Sequence, residues 1–179
     1  MPVPASYSDM WSTDRQAQYA AYTEVWAAAA APVEWAYDVW DDVIAHLSSR
    51  DNHDRSIAAQ VLCRLAKSDP QARLREDFPA LLAVTRDERF VTARHSLQAL
   101  WEVGVAGGWQ CHLVVEAFRD LFSECEGQKA CSIIRGDIVA GLKRLFDATG
   151  DESVRDAAEA LIASEADVKH HKKYVSAWR

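Results

Sequence analysis

The sequence predicts an all-α protein: a solenoid of about four helix pairs that follow a separate N-terminal helix. Apolar residues recur at steps of three and four along most of the chain, which is the pattern of helices with one buried face. Only seven Gly and five Pro occur in 179 residues, which leaves little material for the turns of an all-β fold. One helical pattern also returns along the chain at a nearly constant distance, which favours stacked pairs.

Nine helices follow from this periodicity and from the residues that begin and end helices. Pro2 and Pro4 oppose helix, so residues 1–8 are expected to form a loose N-terminal arm. The N-terminal helix is expected within 9–31, before Pro32. The other predicted helices cover residues 33–48, 54–68, 71–84, 88–103, 109–125, 129–148, 152–163 and 167–177.

No Ser/Gly-rich linker divides these helices. The sequence therefore predicts a single domain over 1–179, with the repeats at 32–163 and a C-terminal capping helix within 164–179.

The repeat is clearest between the third and fifth predicted helices. Ala58, Leu62 and Leu65 align with Ala93, Leu97 and Leu100, and the offset is 93 − 58 = 35 residues. An acidic turn precedes each copy. Two-helix units with this period are typical of α-solenoids, because a single helical hairpin cannot cover its own apolar face and must share a core with its neighbours. A plain helical bundle is the alternative.

These residues resemble HEAT-like (armadillo-type) helical repeats over about residues 32–163. The resemblance is carried by Asp54-Arg55-x-x-Ala58-Ala59-x-x-Leu62-x-x-Leu65, by Ala93-Arg94-x-x-Leu97-x-x-Leu100, and by Asp151-x-x-Val154-Arg155-x-Ala157-Ala158-x-Ala160-Leu161. It implies a right-handed α-α superhelix whose second helices line a concave side. It also implies an aspartate and an arginine near the start of the second helix that bond to neighbouring repeats.

The register departs from the repeat pattern toward the C-terminus. Arg135 lies 42 residues after Ala93, but Val154 follows only 19 residues later. The last repeats are therefore expected to be irregular, or the final pair to be a cap.

Composition and charge limit the classes of function that this chain can have. The formal net charge is −7, and such a surface repels a phosphate backbone, so nucleic-acid binding needs a strong local basic patch. No stretch approaches the roughly 18–20 apolar residues of a membrane span, and no secretory signal begins the chain. The four cysteines form no C-x-x-C pair, and we expect buried, reduced thiols in a cytoplasmic protein.

Two candidate binding surfaces follow from the helical pattern. If the second helices line a concave side, that side carries Gln60, Arg64, His95, Glu102, Asp137 and Arg144. The small residues Ala99 and Gly141 could open a groove at one level. The same composition also describes an ordinary exposed helix face.

The second surface is an acidic ridge on the second predicted helix. Glu34, Asp38 and Asp42 recur at steps of four, so their like charges repel one another. This pattern predicts a site for a basic partner or a metal ion, or alternatively a solvated face near a helix N-terminus.

Motifs for catalysis are not found. The six histidines form no zinc signature, and no G-x-S-x-G, phosphate loop or dinucleotide pattern occurs. No metal or cofactor is predicted. We expect a non-enzymatic protein-interaction module with another protein as partner. The alternative is a nucleic-acid-acting enzyme similar to alkylpurine DNA glycosylases of HEAT-like fold, which the acidity disfavours. The oligomeric state is not predicted.

Overall fold

In the computed structural model, which describes residues 2–179, every regular element of that range is helical. The prediction of an all-α fold is confirmed. The helices are α1 (Arg15–Ala28), α2 (Ala36–His46), α3 (Asn52–Leu65), α4 (Leu74–Val84), α5 (Phe90–Ala99), α6 (Trp101–Gly104), α7 (Gly108–Glu124), α8 (Cys131–Thr149), α9 (Glu152–Ser164) and α10 (Val168–Trp178). Short 3-10 helices lie at Tyr7–Trp11 and Ala66–Ser68.

The helix bounds follow the predicted ones except at two places. In the predicted N-terminal helix of 9–31, the α-helix begins only at Arg15, and a separate 3-10 helix at Tyr7–Trp11 precedes it. The helix predicted over 88–103 is divided at Leu100 into α5 and the short α6. Polar residues at the N-termini explain several of the starts: an aspartate side chain accepts backbone N–H groups at the beginning of α1, α3, α9 and α10. None of the helices in residues 2–179 combines the length and the hydropathy that crossing a bilayer requires.

The chain divides into two compact units, of which the first ends at Ala99 and the second is Leu100–Arg179. In the first unit, α1, α3 and α5 pack side by side in a row, and α2 and α4 form a second layer against that row. In the second unit, α6, α8 and α10 form one layer and α7 and α9 the other. Successive helices thus alternate between two layers within each unit.

Each unit has an apolar core of its own. Trp40, Leu62, Leu65 and Leu81 are fully buried in the first unit. In the second unit, the fully buried side chains include Phe118, Ile138, Leu142, Leu145 and Tyr174. These residues lie at the apolar positions of the helical pattern, so burial of one stripe per helix drives the packing.

A recurring aspartate connects neighbouring helices of the α1–α3–α5 row. Asp14, Asp51 and Asp87 precede the three helices and are 37 and 36 residues apart. Arg15 donates a hydrogen bond to Asp51. Arg55 donates to both carboxylate oxygens of Asp87, at 2.6 and 2.9 Å. An arginine near the start of one helix therefore binds the aspartate at the start of the next.

Residues 1–8 were predicted as a loose arm, and of these, the described residues 2–8 make specific contacts. Ser6 Oγ donates to Glu24 at 2.6 Å, and Tyr7 Oη donates to Asp42 at 2.6 Å. Met10, in the following 3-10 helix, is fully buried. Met1 lies outside the described residues.

Two glycines of α8 give opposite expectations for the same substitution. A Cβ at Gly136 would lie 3.6 Å from Tyr174, an ordinary contact, whereas one at Gly141 would lie 2.8 Å from the Phe118 ring. Alanine favours a helix interior by about 1 kcal/mol over glycine, while overpacking costs about 1–3 kcal/mol. Gly141 therefore packs under an aromatic ring and does not open a groove.

We expect Gly136→Ala to raise the free energy of unfolding by about 0.5–1 kcal/mol and Gly141→Ala to lower it by about 1–2 kcal/mol. Urea titrations followed by circular dichroism measure both. Equal effects of the two substitutions would contradict the packing of Phe118 against Gly141.

Candidate functional site: a cleft on the α1–α3–α5 row

A concave feature of the first unit lies on its α1–α3–α5 row. It is a cleft of about 440 Å³, which we call the row cleft. Three helices form its walls at helical spacing, with one face of each helix turned toward the opening. The lining residues are Arg15, Gln18, Tyr19 and Tyr22 of α1, His53, Ser56, Ile57 and Gln60 of α3, and His95 of α5.

A chain of hydrogen bonds fixes the floor of the row cleft. Tyr22 Oη donates to Gln60 Oε1 at 3.0 Å, and Gln60 Nε2 donates to the Ser56 carbonyl at 3.0 Å. Ser56 Oγ lies 3.3 Å from His95 Nδ1. Burial raises the pKa of Tyr22 to about 12, with Tyr19 adding to the shift and Arg64 opposing it. Tyr22 therefore stays a neutral donor at physiological pH.

One end of the row cleft is held by Arg15. Its guanidinium donates to Gln18 Oε1 at 2.8 Å and to Asp51. Burial opposes ionisation of Asp51, but hydrogen bonds from Arg15 and from the backbone of His53 outweigh it and keep the pKa of this carboxyl below its ordinary value. Gln18 is buried and donates to Asp54 at 2.9 Å. This end is preorganised by the fold.

Beyond Gln60 the same face of α3 continues toward its C-terminus. The Arg64 guanidinium lies 4.5 Å from the centre of the Trp26 ring, a cation–π contact. Arg64 Nε also donates to the Trp26 carbonyl at 3.4 Å. Lys67 Nζ donates to the Ala30 carbonyl at 3.4 Å. Arg64 thus lies in the last turn of α3, and Lys67 lies in the 3-10 helix that follows it.

The residues of the row cleft suit binding better than covalent chemistry. Ser56 and His95 resemble a nucleophile beside a base, but Ser56 Oγ also accepts a hydrogen bond from Gln60 Nε2 at 3.2 Å. Ser56 lies inside α3, where the backbone N–H groups are used by the helix. Donors for a developing oxyanion are therefore not available from this backbone.

The predicted concave-face residues divide between the two units. Gln60 and His95 line the row cleft, and Arg64 lies on the same face of α3. In the second unit Arg144 is exposed, Asp137 is half-buried, and Glu102 is buried at 4% exposure. Glu102 therefore offers no surface to a partner. The sequence did not indicate Tyr19, Tyr22 or His53 as cleft residues, although Tyr19 and Tyr22 stand at helical spacing.

The predicted acidic ridge is not a uniform surface. Glu34 lies in the turn before α2, and Asp38 is exposed in the first turn of α2. Asp42 accepts hydrogen bonds from Tyr7 Oη at 2.6 Å and from Trp11 Nε1 at 2.8 Å. Asp42 thus anchors the N-terminal 3-10 helix, which leaves Glu34 and Asp38 as the open carboxylates of the three.

The second unit has a smaller polar recess of about 240 Å³ at the turn between α7 and α8. Arg135 organises it. This side chain donates to Glu165 at 3.0 Å and to the Phe122 carbonyl at 3.1 Å, and its guanidinium lies 4.5 Å from the centre of the Phe122 ring. Burial raises the pKa of Glu165, but hydrogen bonds from the Asp167 backbone and from Arg135 reverse that shift, so the pKa lies below its ordinary value.

The expectation of four reduced thiols is wrong for two of them in this structure. Cys125 and Cys131 form a disulfide across the α7–α8 turn, with their Cα atoms 5.0 Å apart. The end of α7 and the start of α8 place the two residues within the Cα distance that a disulfide spans, and the six-residue separation alone did not reveal this. Cys63 and Cys111 are buried thiols. Burial, then Asp151, raises the pKa of Cys111 to about 11.

Reduction of the disulfide is expected to lower the free energy of unfolding by about 2 kcal/mol, because the short closed loop restricts the unfolded chain only modestly. Denaturant titrations with and without a phosphine reductant measure the difference. The variant Cys125→Ser/Cys131→Ser is the control and should not respond to the reductant. Thiol titration of the unfolded, unreduced protein should find two thiols; four would contradict the pairing.

Within residues 2–179, no three His, Cys, Asp or Glu side chains are grouped so that they could hold a metal ion. In comparisons with known proteins, no protein-family model and no curated protein matches this chain. The structure defines the class of protein only as far as an all-α chain of layered helices.

Proposed function

We propose that this chain is a HEAT-like solenoid that serves as a non-enzymatic protein-interaction module and binds its partner at the row cleft. Three features of the first unit support the HEAT-like part of the proposal. Its helices alternate between two layers, the aspartate-capped helices recur at 37 and 36 residues, and an arginine of one helix binds the aspartate of the next. Stacked helix pairs commonly use such faces to bind other chains.

The observation that carries the binding proposal is the exposure of Tyr19 at a preorganised cleft. Tyr19 is 70% exposed on the edge of the row cleft, beside Tyr22 and Ile57. Exposed aromatic residues beside a concave apolar wall are typical of interface hot spots. The hydrogen bonds of Gln18, Tyr22 and Gln60 hold the walls in place before binding, which lowers the entropy cost of association.

A photoreactive amino acid in place of Tyr19 tests the proposal. The control replaces Val168, which is 68% exposed on α10. After irradiation in intact cells, we expect discrete cross-linked polypeptides with the probe at Tyr19 and none in common with the probe at Val168. Cross-linked products that contain only nucleic acid would contradict the proposal and favour the nucleic-acid alternative. The absence of cross-links at Tyr19 would also contradict the proposal.

We also propose the cytoplasm as the location, on the basis of the buried thiols Cys63 and Cys111. The disulfide opposes this location, because such bonds are rare in cytosolic proteins. Alkylation of thiols in cells that are quenched in acid and then denatured without reductant tests this location. A cytoplasmic protein should carry Cys125 and Cys131 as alkylated thiols, and protection of both from alkylation in the unfolded chain would contradict that compartment.

A further inference from the structure

We infer that the exposed side of α10 is a docking surface for an acidic polypeptide segment. This helix belongs to the second unit, so the inference goes beyond the row cleft and does not rest on the function proposed for it. Three observations support it: the cations on this side have no partners in the fold, helix stability does not explain them, and they line a surface recess.

The exposed side of α10 carries a compact cluster of cations, which we call the basic face. Its members are Lys169, Lys172, Lys173 and Arg179, and all four are exposed. They stand at steps of three, four and seven, which places them on one side of a helix. α10 (Val168–Trp178) itself contains no acidic residue. The basic face is therefore cationic along its whole length.

These cations are available to a partner. Among residues 2–179, no carboxylate lies within ion-pair distance of Lys172, Lys173 or Arg179, and no hydrogen-bond acceptor engages their side chains. The carboxylate of Asp167, which caps the start of α10, attracts Lys169. Three of the four charges are thus left without a counterion from the described chain.

The stability of α10 does not account for the basic face. Lys169, Lys172 and Lys173 lie in the first six residues of the helix, where the helix dipole favours negative side chains. Like charges at steps of three and four also repel one another. A partner with carboxylates relieves both unfavourable interactions, because it neutralises the cluster.

A shallow recess of about 410 Å³ lies beside the basic face and shares two of its cations. The recess is lined by His171, Lys172, Val175, Ser176 and Arg179. It combines one apolar side chain with charged and hydrogen-bonding groups. A polypeptide is complementary to this mixture, since it places apolar side chains beside its carboxylates.

The length of the basic face suits a short segment. From Lys169 to Arg179 the chain advances ten residues, which at the helical rise of 1.5 Å is roughly 15 Å. An extended segment covers that distance with about five residues. A nucleic acid continues its charge beyond such a small patch, onto a chain whose formal net charge is −7. A peptide with a few local carboxylates avoids this repulsion.

A membrane surface is the other anionic candidate, and the packing of α10 opposes it. Tyr174 is fully buried, and its Oη donates to the Ser132 carbonyl at 2.9 Å. The ring centre of Trp178 lies 5.7 Å from that of Phe146. The apolar side of α10 is therefore occupied inside the unit, whereas an interfacial helix inserts its apolar side into the bilayer.

Fluorescence anisotropy with three labelled seven-residue peptides tests the inference. Each has a central leucine, and all other positions are glutamate, glutamine or lysine. We expect the glutamate peptide to bind the purified full chain about fivefold or more tightly than the other two at 50 mM salt. Its affinity should fall steeply between 50 and 300 mM salt, because exposed charges are screened.

Variants locate the site. Lys172→Gln/Lys173→Gln should weaken the glutamate peptide about fivefold, and Lys172→Glu/Lys173→Glu should reverse the preference toward the lysine peptide. The control Arg50→Gln/Lys129→Gln removes two exposed cations outside α10, so it changes the net charge as much as the first variant. It should leave the affinity within about twofold. Because Lys172 and Lys173 have no partners, none of these variants should lower the melting temperature.

Each other outcome overturns the inference. Equal binding of the glutamate and glutamine peptides, or equal losses in Lys172→Gln/Lys173→Gln and the control, would exclude α10 as an acidic-segment site. So would binding of a single-stranded oligonucleotide, or of phosphatidylserine vesicles, that depends on Lys172 and Lys173 while no peptide binds. Absence of binding by every probe would do the same, and the row cleft would still be tested by the Tyr19 cross-linking.

Discussion

Arg55→Ala should lower the free energy of unfolding by about 3 kcal/mol, because it leaves the buried Asp87 carboxylate without its partner. The Arg55 side chain is 16% exposed and the Asp87 side chain 6%. Arg55 also donates to the Ser49 carbonyl at 2.9 Å, so the substitution removes a contact to the turn before α3 as well. Urea titration measures the loss.

The control for Arg55→Ala is an exposed ion pair of the same type. Arg119 and Glu116 are both 47% exposed on α7, so Arg119→Ala should change the free energy of unfolding by at most about 0.5 kcal/mol. If the two substitutions had equal effects, the Arg55–Asp87 pair would not be the connection between α3 and α5 that we describe.

The same pair predicts how stability depends on pH. The hydrogen bond from Arg55 lowers the pKa of Asp87, and burial opposes the shift only in part. A carboxyl whose pKa is lower in the folded state stabilises the protein above its unfolded pKa of about 4, and this contribution is lost as the pH falls through the folded pKa. Stability measured from pH 7 to pH 3 should therefore fall less steeply in Arg55→Ala than in the unmodified chain.

Trp40→Ala should lower the free energy of unfolding by about 4 kcal/mol, as expected for removing a fully buried tryptophan. Trp40 has no exposed surface, and its ring lies 5.7 Å from that of Tyr37 in an edge-to-face arrangement. Its Nε1 donates to Asp77 at 2.8 Å, which connects α2 to α4. Thermal and urea unfolding should both report the loss.

Two phenylalanine substitutions separate the hydrogen bond of Trp40 from its volume. Trp40→Phe leaves Asp77 without this donor and should cost about 2 kcal/mol. Trp35 is 2% exposed, and in the described structure its Nε1 has no hydrogen-bond partner. Trp35→Phe removes that unsatisfied group and should cost less than about 1 kcal/mol. If Trp35→Phe lowered the free energy of unfolding more than Trp40→Phe, the role assigned to Asp77 would be contradicted.

Local signals in the sequence were sufficient to predict most of the helices and some of the residues that line the row cleft. Apolar spacing and capping residues such as Asp51 and Asp151 act within a few residues, so helix positions follow from nearby sequence. The same spacing placed Gln60 and His95 on faces that line the row cleft. The superhelical arrangement stays a prediction.

Contacts between distant residues were decided only by the tertiary structure. The sequence spacing assigns Asp42 to the acidic ridge, but in the folded chain its carboxylate accepts hydrogen bonds from Tyr7 and Trp11. The Cys125–Cys131 bond depends on where α7 ends and α8 begins. Helical periodicity specifies which face of each helix is apolar, but it does not specify which distant side chain meets that face, because partner choice is set by packing across the whole unit.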